Sequence, residues 1–549
     1  MLHVAPLGFL SFSTGGYVPA GAIWLDGSAD YLTWTPSGAG DSQRTFTLSA
    51  WVKPNLPTFD NIMSCGTTGT ADSDNMALRF TTNGALQHGA FPTTNVLVTS
   101  AYHRDSTAWM HVVGVCDTTD GTATNRLKLY VNGVEVTAFA TDNRASNPTL
   151  NEDMAWGRAI AIQIGRDFGG GAPTAYYEGY MAEVIYLDGV AAAVTDLGKF
   201  DANGNWVPID PSGLTFGTNG FWLDFADSAD LGNDVSGNGN DFTPTSMSSA
   251  NATNDNPADD AANGYGNFML WNPLEPGTKP TFSNGNTTES HSASDVPAFG
   301  NWVFSDGLWQ IELTADVFTA GDWIGVCNED FAQGTDIAVS SDTWVYKPST
   351  GYKSNGTGDP GTAYGSGASA TDRINIALDM DQGDGSNKIW IGVNGTWENS
   401  GDPAAGTGAM YSNLPARVKL VQGSRSSSAG TFTINLSLTD ALETGFKQPV
   451  TYSLPAPTPA ASATPITGSF TGNANADGPV VWLGYTPDTS ETSTINSNTI
   501  TWGTHALPTA GGMKIITSSA SYNTAGSNTY SIAVEHPFGG EGISQARAR

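Results

Sequence analysis

Glu183 and Asp188, in the run AEVIYLD, are the nearest this sequence comes to the paired carboxylates of glycoside hydrolysis. That chemistry needs an acid and a base or nucleophile roughly 5–9 Å apart on either side of the scissile bond. Side chains five positions apart point to opposite faces of an ideal strand, so the pair reads as sheet or edge residues, and no enzyme is expected. Gly365, Ser366 and Gly367 touch on a nucleophile elbow, but they lack the strand-to-helix setting that gives that motif its meaning. Calcium takes roughly six to eight oxygens from carboxylates, side-chain amides and backbone carbonyls. Asp234, Asn238, Asn240 and Asp241 of DVSGNGND could supply several, as could Asp379 and Asp381. The same residue types also close tight turns by bonding their own backbone. Beyond Ca2+, no cofactor is required. Sugar recognition pairs an aromatic face with polar groups on loops. Trp344, Tyr346, Tyr352, Tyr364 and Trp397 stand in loop-like surroundings and are the candidate ligand contacts.

Residues with such roles need a scaffold, and the composition says which kind. The chain has 549 residues, 65 of them Gly and 29 Pro, with 16 Trp, 23 Phe and 17 Tyr. That length suits three or four domains at ~100–200 residues each. Short apolar runs punctuated by Gly, Pro, Asn and Asp are the signature of all-β sandwiches. Cys65, Cys116 and Cys327 are odd in number and far apart, and two of them end apolar runs (HVVGVC and WIGVC), so buried thiols are expected rather than a disulfide framework. With 53 acidic against 22 basic residues and a net charge of −31, the surface repels nucleic acid and anionic membranes. No apolar stretch approaches the ~18–20 residues of a membrane span, so no membrane insertion is expected. The opening MLHVAPLGFLSFSTGG lacks a basic segment ahead of its apolar patch. An extracellular composition without an export signal fits a component released by lysis of a host.

The strand pattern is explicit along residues 19–205. FTLSAWVKP alternates, with Phe46, Leu48 and Ala50 on one face and Thr47 and Ser49 on the other. WMHVVGVCD reads as a strand buried on both faces, and RLKLYVNGVEVT as a hairpin whose Asn132–Gly133 supplies a type I′ turn. LSAWVKP, RLKLYVNGVEV and IQIGRD…YYEGYMAEVIYLDG follow in the order of the concanavalin A-like, laminin-G-like lectin sandwich, which this stretch resembles. Residues 206–280 are expected to connect two domains. Their GFWLDFADSADLGNDVSGNGNDFTP resembles the join between sandwiches in virion and tail-fibre proteins of marine phages. Over 281–453 the runs WQIELTA, DWIGVCNED, RINIALDMDQGDGSNKIWIGVNGTW and NLPARVKLVQGS resemble a SPRY domain, another two-sheet sandwich, with Asp384 to Asn387 lengthening its hairpin. LPAPTPAASATP at 454–465 is a Pro/Ala linker. Residues 466–549 form a small β-domain whose ending, YSIAVEHPFGGEG, resembles the tail of phage fibre-like proteins, and residues 1–18 are a lead segment.

The expected fold is therefore all-β: tandem antiparallel sandwiches plus a small C-terminal β-domain. A fold of this type hosts many functions, so the ligand does not follow from it. The resemblance implies a structural protein on the surface of a virus that infects bacteria, of tail-fibre, head-fibre or decoration type. Its partners would be host surface glycans or proteins and neighbouring virion proteins, and its assembly a homotrimer. A glycan depolymerase and a secreted bacterial lectin are the rivals. An acid pair converging in a groove would mark the first, a signal peptide the second.

Overall fold

The computed structural model describes residues 16–454, except 56–59, 68–74, 91–95, 169–174, 202–203, 333 and 426–428, together with six strands between Ile466 and Arg547. Among the described residues the elements are antiparallel strands and short 3-10 turns, and no helix is long and apolar enough to cross a membrane.

The first sandwich packs two eight-stranded sheets face to face. Its back sheet runs Val134–Glu135, Leu127–Val131, Met110–Asp117, Thr45–Pro54, Glu178–Asp188, Ala22–Asp26, Ala252–Thr253, with Phe221–Leu223 also pairing with Glu178–Asp188. The front sheet runs Phe139–Asp142, Val96–Tyr102, Ala85–Ala90, Asn75–Phe80, Asn61–Gly66, Ile162–Ile164, Tyr31–Trp34, Thr243–Thr245. Phe46, Leu48 and Ala50 point into the core between the sheets, as the alternation requires. The opposite face is buried too: Ser49 meets His111 Nε2 at 2.7 Å and Trp51 stacks on the same ring, centroids 4.8 Å apart. Asn132 and Gly133 have φ of 48° and 77°, the positive values a type I′ turn demands. Cys65 and Cys116 are free thiols inside this core, and burial pushes both well above the usual thiol range.

The stretch 206–280 is not merely a connector. Phe221–Leu223 joins the back sheet beside Val184–Tyr186, Thr243–Thr245 pairs with Tyr31–Trp34, and Ala252–Thr253 pairs with Ala22 and Ile23. Phe216 and Trp222 also cover Val113, Val115, Ile185 and Leu187 on the outer side of the back sheet. Strands of two or three residues are too short to show a period, and the partners that hold them lie some 40 to 230 positions away. Pro244 is tolerated because its strand is an edge, where a missing N–H breaks no ladder.

The second sandwich sets an eight-stranded sheet against a six-stranded one. The first runs Thr281–Ser283, Thr288–His291, Gly430–Ile434, Leu308–Val317, Arg373–Asp379, Asn387–Val393, Thr396–Trp397, with Tyr411–Leu414 also on Asn387–Val393. The second runs Ala298–Phe304, Val418–Ser424, Asp322–Asn328, Thr343–Lys347, Tyr352–Ser354, Thr362–Ala363. The expected long hairpin pairs Asp379 with Lys388 across residues 380–387. Cys327 is a buried free thiol. Near the C-terminus, Ile466–Thr471, Thr499–His505, Glu491–Asn496 and Asn528–Ile532 form a four-stranded sheet, and Val480–Val481 pairs with Ala546–Arg547. The linker at 455–465, the lead segment up to residue 15 and the HPFGGEG ending lie outside the described residues.

Candidate functional site

The front sheet of the first sandwich turns small and polar side chains away from the core. Thr33, Gln163, Ser64, Ala77 and Gly89 share one line across its strands, and Arg79, Gln87 and Val98 the next. Their strand neighbours Leu32, Met63, Met76, Leu78 and Leu86 lie in the core, so alternation alone assigns the faces. Because Ser64, Ala77 and Gly89 are small, a cleft remains, lined by Asn61, Ser64, Asn75, Ala77, Arg79, Asp167 and Phe168.

Its polar groups are held in place. Arg79 donates from Nε and Nη2 to Gln87 Oε1 at 3.1 and 3.0 Å, and burial brings its pKa down to about 10. Arg166 Nε donates to Gln163 Oε1 at 2.6 Å, and its guanidinium sits 3.6 Å from the centroid of the Tyr31 ring, itself 6.3 Å from Tyr176. Ser64 Oγ donates to the Arg166 carbonyl at 2.7 Å. Asn61 Nδ2 reaches the Ala175 carbonyl at 3.4 Å, while its buried Oδ1 has no hydrogen-bond partner among the described residues. The cleft wall thus holds a fixed donor in Arg79, a buried acceptor in Asn61 and the Phe168 ring, with Arg166 stacked on Tyr31 of the same sheet, polar and aromatic groups of the kind a polyhydroxylated ligand requires. None of these residues stood out in the sequence. The only available signal was Arg and Gln at outward positions of NMALRF and ALQHGA, and alternation does not tell which sheet face carries a cleft.

The aromatic candidates of the second sandwich fall differently. Trp344 and Tyr346 are not on a loop; they lie on Thr343–Lys347 with side chains buried in the core, 5% and 0% exposed. Tyr364 joins the same core at 8% exposure. Alternate positions of a strand share a face, so a run read as a polar loop delivers two aromatics inward. Trp344 Nε1 donates to Asn413 Oδ1 at 2.9 Å. Lys353 Nζ lies 5.2 Å from the Tyr364 ring and 4.6 Å from Tyr411. Tyr352 is half-buried on Tyr352–Ser354. Trp397, on the other sheet, is half-buried, its Nε1 donating to Glu443 Oε1 at 2.6 Å. The structure therefore gathers Trp344, Tyr346 and Tyr364 as packing residues and leaves Trp397 apart.

The DVSGNGND loop, by its residue types either a possible calcium site or a tight turn, is closed on itself. Asp234 Oδ1 accepts from the N–H groups of Trp222 and Ser236, both at 2.9 Å, and Oδ2 from Ser236 Oγ at 2.8 Å and Asn240 N at 2.9 Å. Asp241 Oδ1 accepts from Asp234 N at 3.0 Å. Asn238 and Asn240 turn their amide nitrogens to the carbonyls of Gly217, Thr218 and Gly220. Both Asp234 oxygens and Asp241 Oδ1 are thus taken by N–H and O–H donors, the bonding of a tight turn. Asp379 and Asp381 likewise accept from Asp381 N, Gln382 Nε2 and Gly307 N. Among the described residues, no three His, Cys, Asp or Glu side chains are placed to hold a metal ion.

Glu183 and Asp188 sit in separate networks. Glu183 has a positive φ of 49° beside a register shift in its strand. Tyr17 Oη and Trp222 Nε1 donate to it at 2.7 and 2.6 Å, and burial pushes its carboxyl up to about 8. Asp188 accepts from the N–H groups of Asp41, Ser42 and Asn219 at 2.7, 3.2 and 3.0 Å.

Residues 26–195 match the laminin-G sequence model of the Concanavalin A-like lectin/glucanases superfamily. No curated protein matches the chain. Among solved structures, the SPRY domain of human HERC1 is 19% identical over 28% of this chain and 91% of its own, with a TM-score of 0.21. A heptameric SAP-like pentraxin from Limulus polyphemus is 16% identical over 33% of this chain and 81% of its own, TM-score 0.25. The CBM40 of a Ruminococcus gnavus IT-sialidase, bound to alpha2,3 sialyllactose, is 15% identical over 29% and 86%, TM-score 0.21.

Proposed function

We propose that this chain binds glycans without transforming them, through the front-sheet cleft of its first sandwich. The observation that carries the reading is Asn61 Oδ1, buried and without a hydrogen-bond partner among the described residues, in the wall of a cleft lined by Arg79, Asn75, Ser64 and Asp167. A buried acceptor left unmade costs about 1–3 kcal/mol, and a turn of the Asn61 amide towards a sugar hydroxyl in the cleft restores the bond. All these residues lie within the stretch matched by the lectin superfamily model. Binding by purified full-length chain to a glycan panel, followed by calorimetry on the best ligand, tests the reading. Arg166→Ala, which unseats Gln163 and uncovers Tyr31, should weaken affinity about tenfold or more, given ~1.5–3 kcal/mol for hydrogen bonds to charged groups. Saturable binding that Arg166→Ala leaves intact, or no glycan bound at all, would sink it.

The setting we propose is the surface of a bacterial virus, with host glycans or proteins and neighbouring virion proteins as partners and a homotrimer as the assembly. The support is the motif resemblance of residues 206–280 and of the ending. Weak sites on several copies then gain ~10²–10⁴ in avidity without new contacts. A secreted lectin would bind in the same way. Peptides of this chain in purified virus particles separate the two.

A further inference from the structure

Lys53, Asp255 and Asn267 meet in the interior of the unit formed by the two sandwiches, brought there from positions more than two hundred residues apart. Lys53 is the last residue but one of the strand Thr45–Pro54, while Asp255 and Asn267 lie on the segment that leads from the first sandwich to the second. The side chains of Lys53 and Asp255 are 0% exposed. Lys53 Nζ stands 2.5 Å from Asp255 Oδ2 and 3.0 Å from Asn267 Oδ1. Trp109 Nε1 donates to Asp255 Oδ1 at 2.6 Å, Phe268 N to Oδ2 at 3.3 Å, and Asn267 Nδ2 to the Thr107 carbonyl at 2.8 Å. The Tyr180 ring, 4.6 Å from Nζ, and the Trp109 ring, 6.0 Å away, flank the amine.

An amine, a primary amide and a carboxyl group are thus fixed together in a dry, aromatic-walled site. We propose that this is a self-modification site, where Lys53 and Asn267 join in an intramolecular amide cross-link with Asp255 relaying the proton. Lys53 Nζ attacks Asn267 Cγ, the Nζ–Cγ bond forms, the Cγ–Nδ2 bond breaks, and Nδ2 leaves as ammonia. Asp255, entering as the neutral acid, gives its proton to the leaving nitrogen from one oxygen and takes the attacking amine's proton on the other, so it ends as it began. An amine and a primary amide become a secondary amide and ammonia, so no oxidant, reductant or cofactor enters. A side-chain amide is a poor electrophile in water, but groups held at contact reach effective concentrations of ~10⁵–10⁸ M; loss of ammonia to solvent prevents reversal, and exclusion of water protects the new amide from hydrolysis. Burial pushes the Lys53 ammonium down and the Asp255 carboxyl up, each towards the neutral form this chemistry uses. Asp255, held by Trp109 and the Phe268 N–H, is the relay; Asn267 brings the neutral leaving group.

Intact-mass spectrometry of the full chain tests this, with fragment mapping of Lys53. The expected mass is about 17 Da below that of the sequence, one ammonia, with a branched fragment joining Lys53 to Asn267. Lys53→Arg should restore the full mass. Asn267→Asp, which keeps the side-chain shape, should change the deficit to about 18 Da, one water, at the same position. Full mass with Lys53 in a linear fragment overturns the proposal, and so does a wild-type branch that maps to Asp255. The wild-type measurement needs no variant to fold.

Discussion

Lys53 and His291 are both basic groups buried among carboxylates, one where the two sandwiches meet and the other inside the second; burial lowers both, yet their net shifts run in opposite directions. Lys53 has one carboxylate, Asp255, and an amide, and desolvation wins: its ammonium is pushed down despite the Asp255 charge. His291 lies between two, with Nδ1 3.2 Å from Glu289 and Nε2 2.9 Å from Asp322. Desolvation pulls against it as well, but hydrogen bonds to Asp322 and Glu289 together with their charges raise it to about 9. Burial in turn pushes Glu289 up to about 7, against the pull of His291. With one carboxylate in contact, desolvation outweighs the attraction and the base is pushed towards its neutral form; with two, the attraction wins. A neutral amine is reactive and an imidazolium bridging two carboxylates is structural, so the same composition serves chemistry at one place and cohesion at the other.

The comparison can be broken most forcefully at Asp255. Asp255→Ala removes the only carboxylate bonded to Lys53 among the described residues, and stripping one partner from a buried pair costs about 3–5 kcal/mol, read as a lower denaturation midpoint of the joined sandwiches. A loss within ~0.5 kcal/mol would show that Lys53 does not depend on Asp255. His291→Gln should cost less, about 1–3 kcal/mol, because Glu289 can take up a proton once its partner is gone. The pH dependence sharpens the contrast. His291 rises from 6.5 to about 9 on folding, so its contribution is full below about pH 6.5 and is lost as pH rises through about 9. Glu289, raised from 4.5 to about 7, has the same sign over a lower window, while Asp322, held below 3.8, contributes above that value and loses its part only in acid. The midpoint should therefore fall between about pH 7 and 9 in the parent, and in His291→Gln the slope left in that window is that of Glu289, which the imidazolium no longer holds down. Smallest and most local is Gly430→Ala. A Cβ at Gly430 would overlap the His291 ring, so this change should cost about 1–3 kcal/mol by overpacking and reduce the same pH slope. An unaltered slope would mean that the ring is not seated against Gly430.

Much of the scaffold was legible because strands advertise themselves by period two. FTLSAWVKP, HVVGVC and the Asn132–Gly133 turn carry their own geometry, and so the all-β class, the faces of the central strands and the buried thiols follow from local pattern. What failed was whatever depended on partners distant in the chain. Phe221–Leu223 and Ala252–Thr253 are strands only because edges formed far upstream accept them. Trp344 and Tyr346 read as loop aromatics until their register against Ile324 and Val326 turned them inward. Asp234 was a plausible cation ligand until Trp222 and Asn240 took its oxygens.

The sequence by itself determined an acidic, nearly helix-free chain of paired sheets, since composition and periodicity act residue by residue and need no knowledge of neighbours. Only the tertiary structure decided where chemistry could occur. The Asn61–Arg79 cleft, the Lys53–Asp255–Asn267 group and the His291 bridge each assemble side chains from separate stretches of the chain. Their reactivity is set by distance and loss of water, and neither quantity is written along a chain.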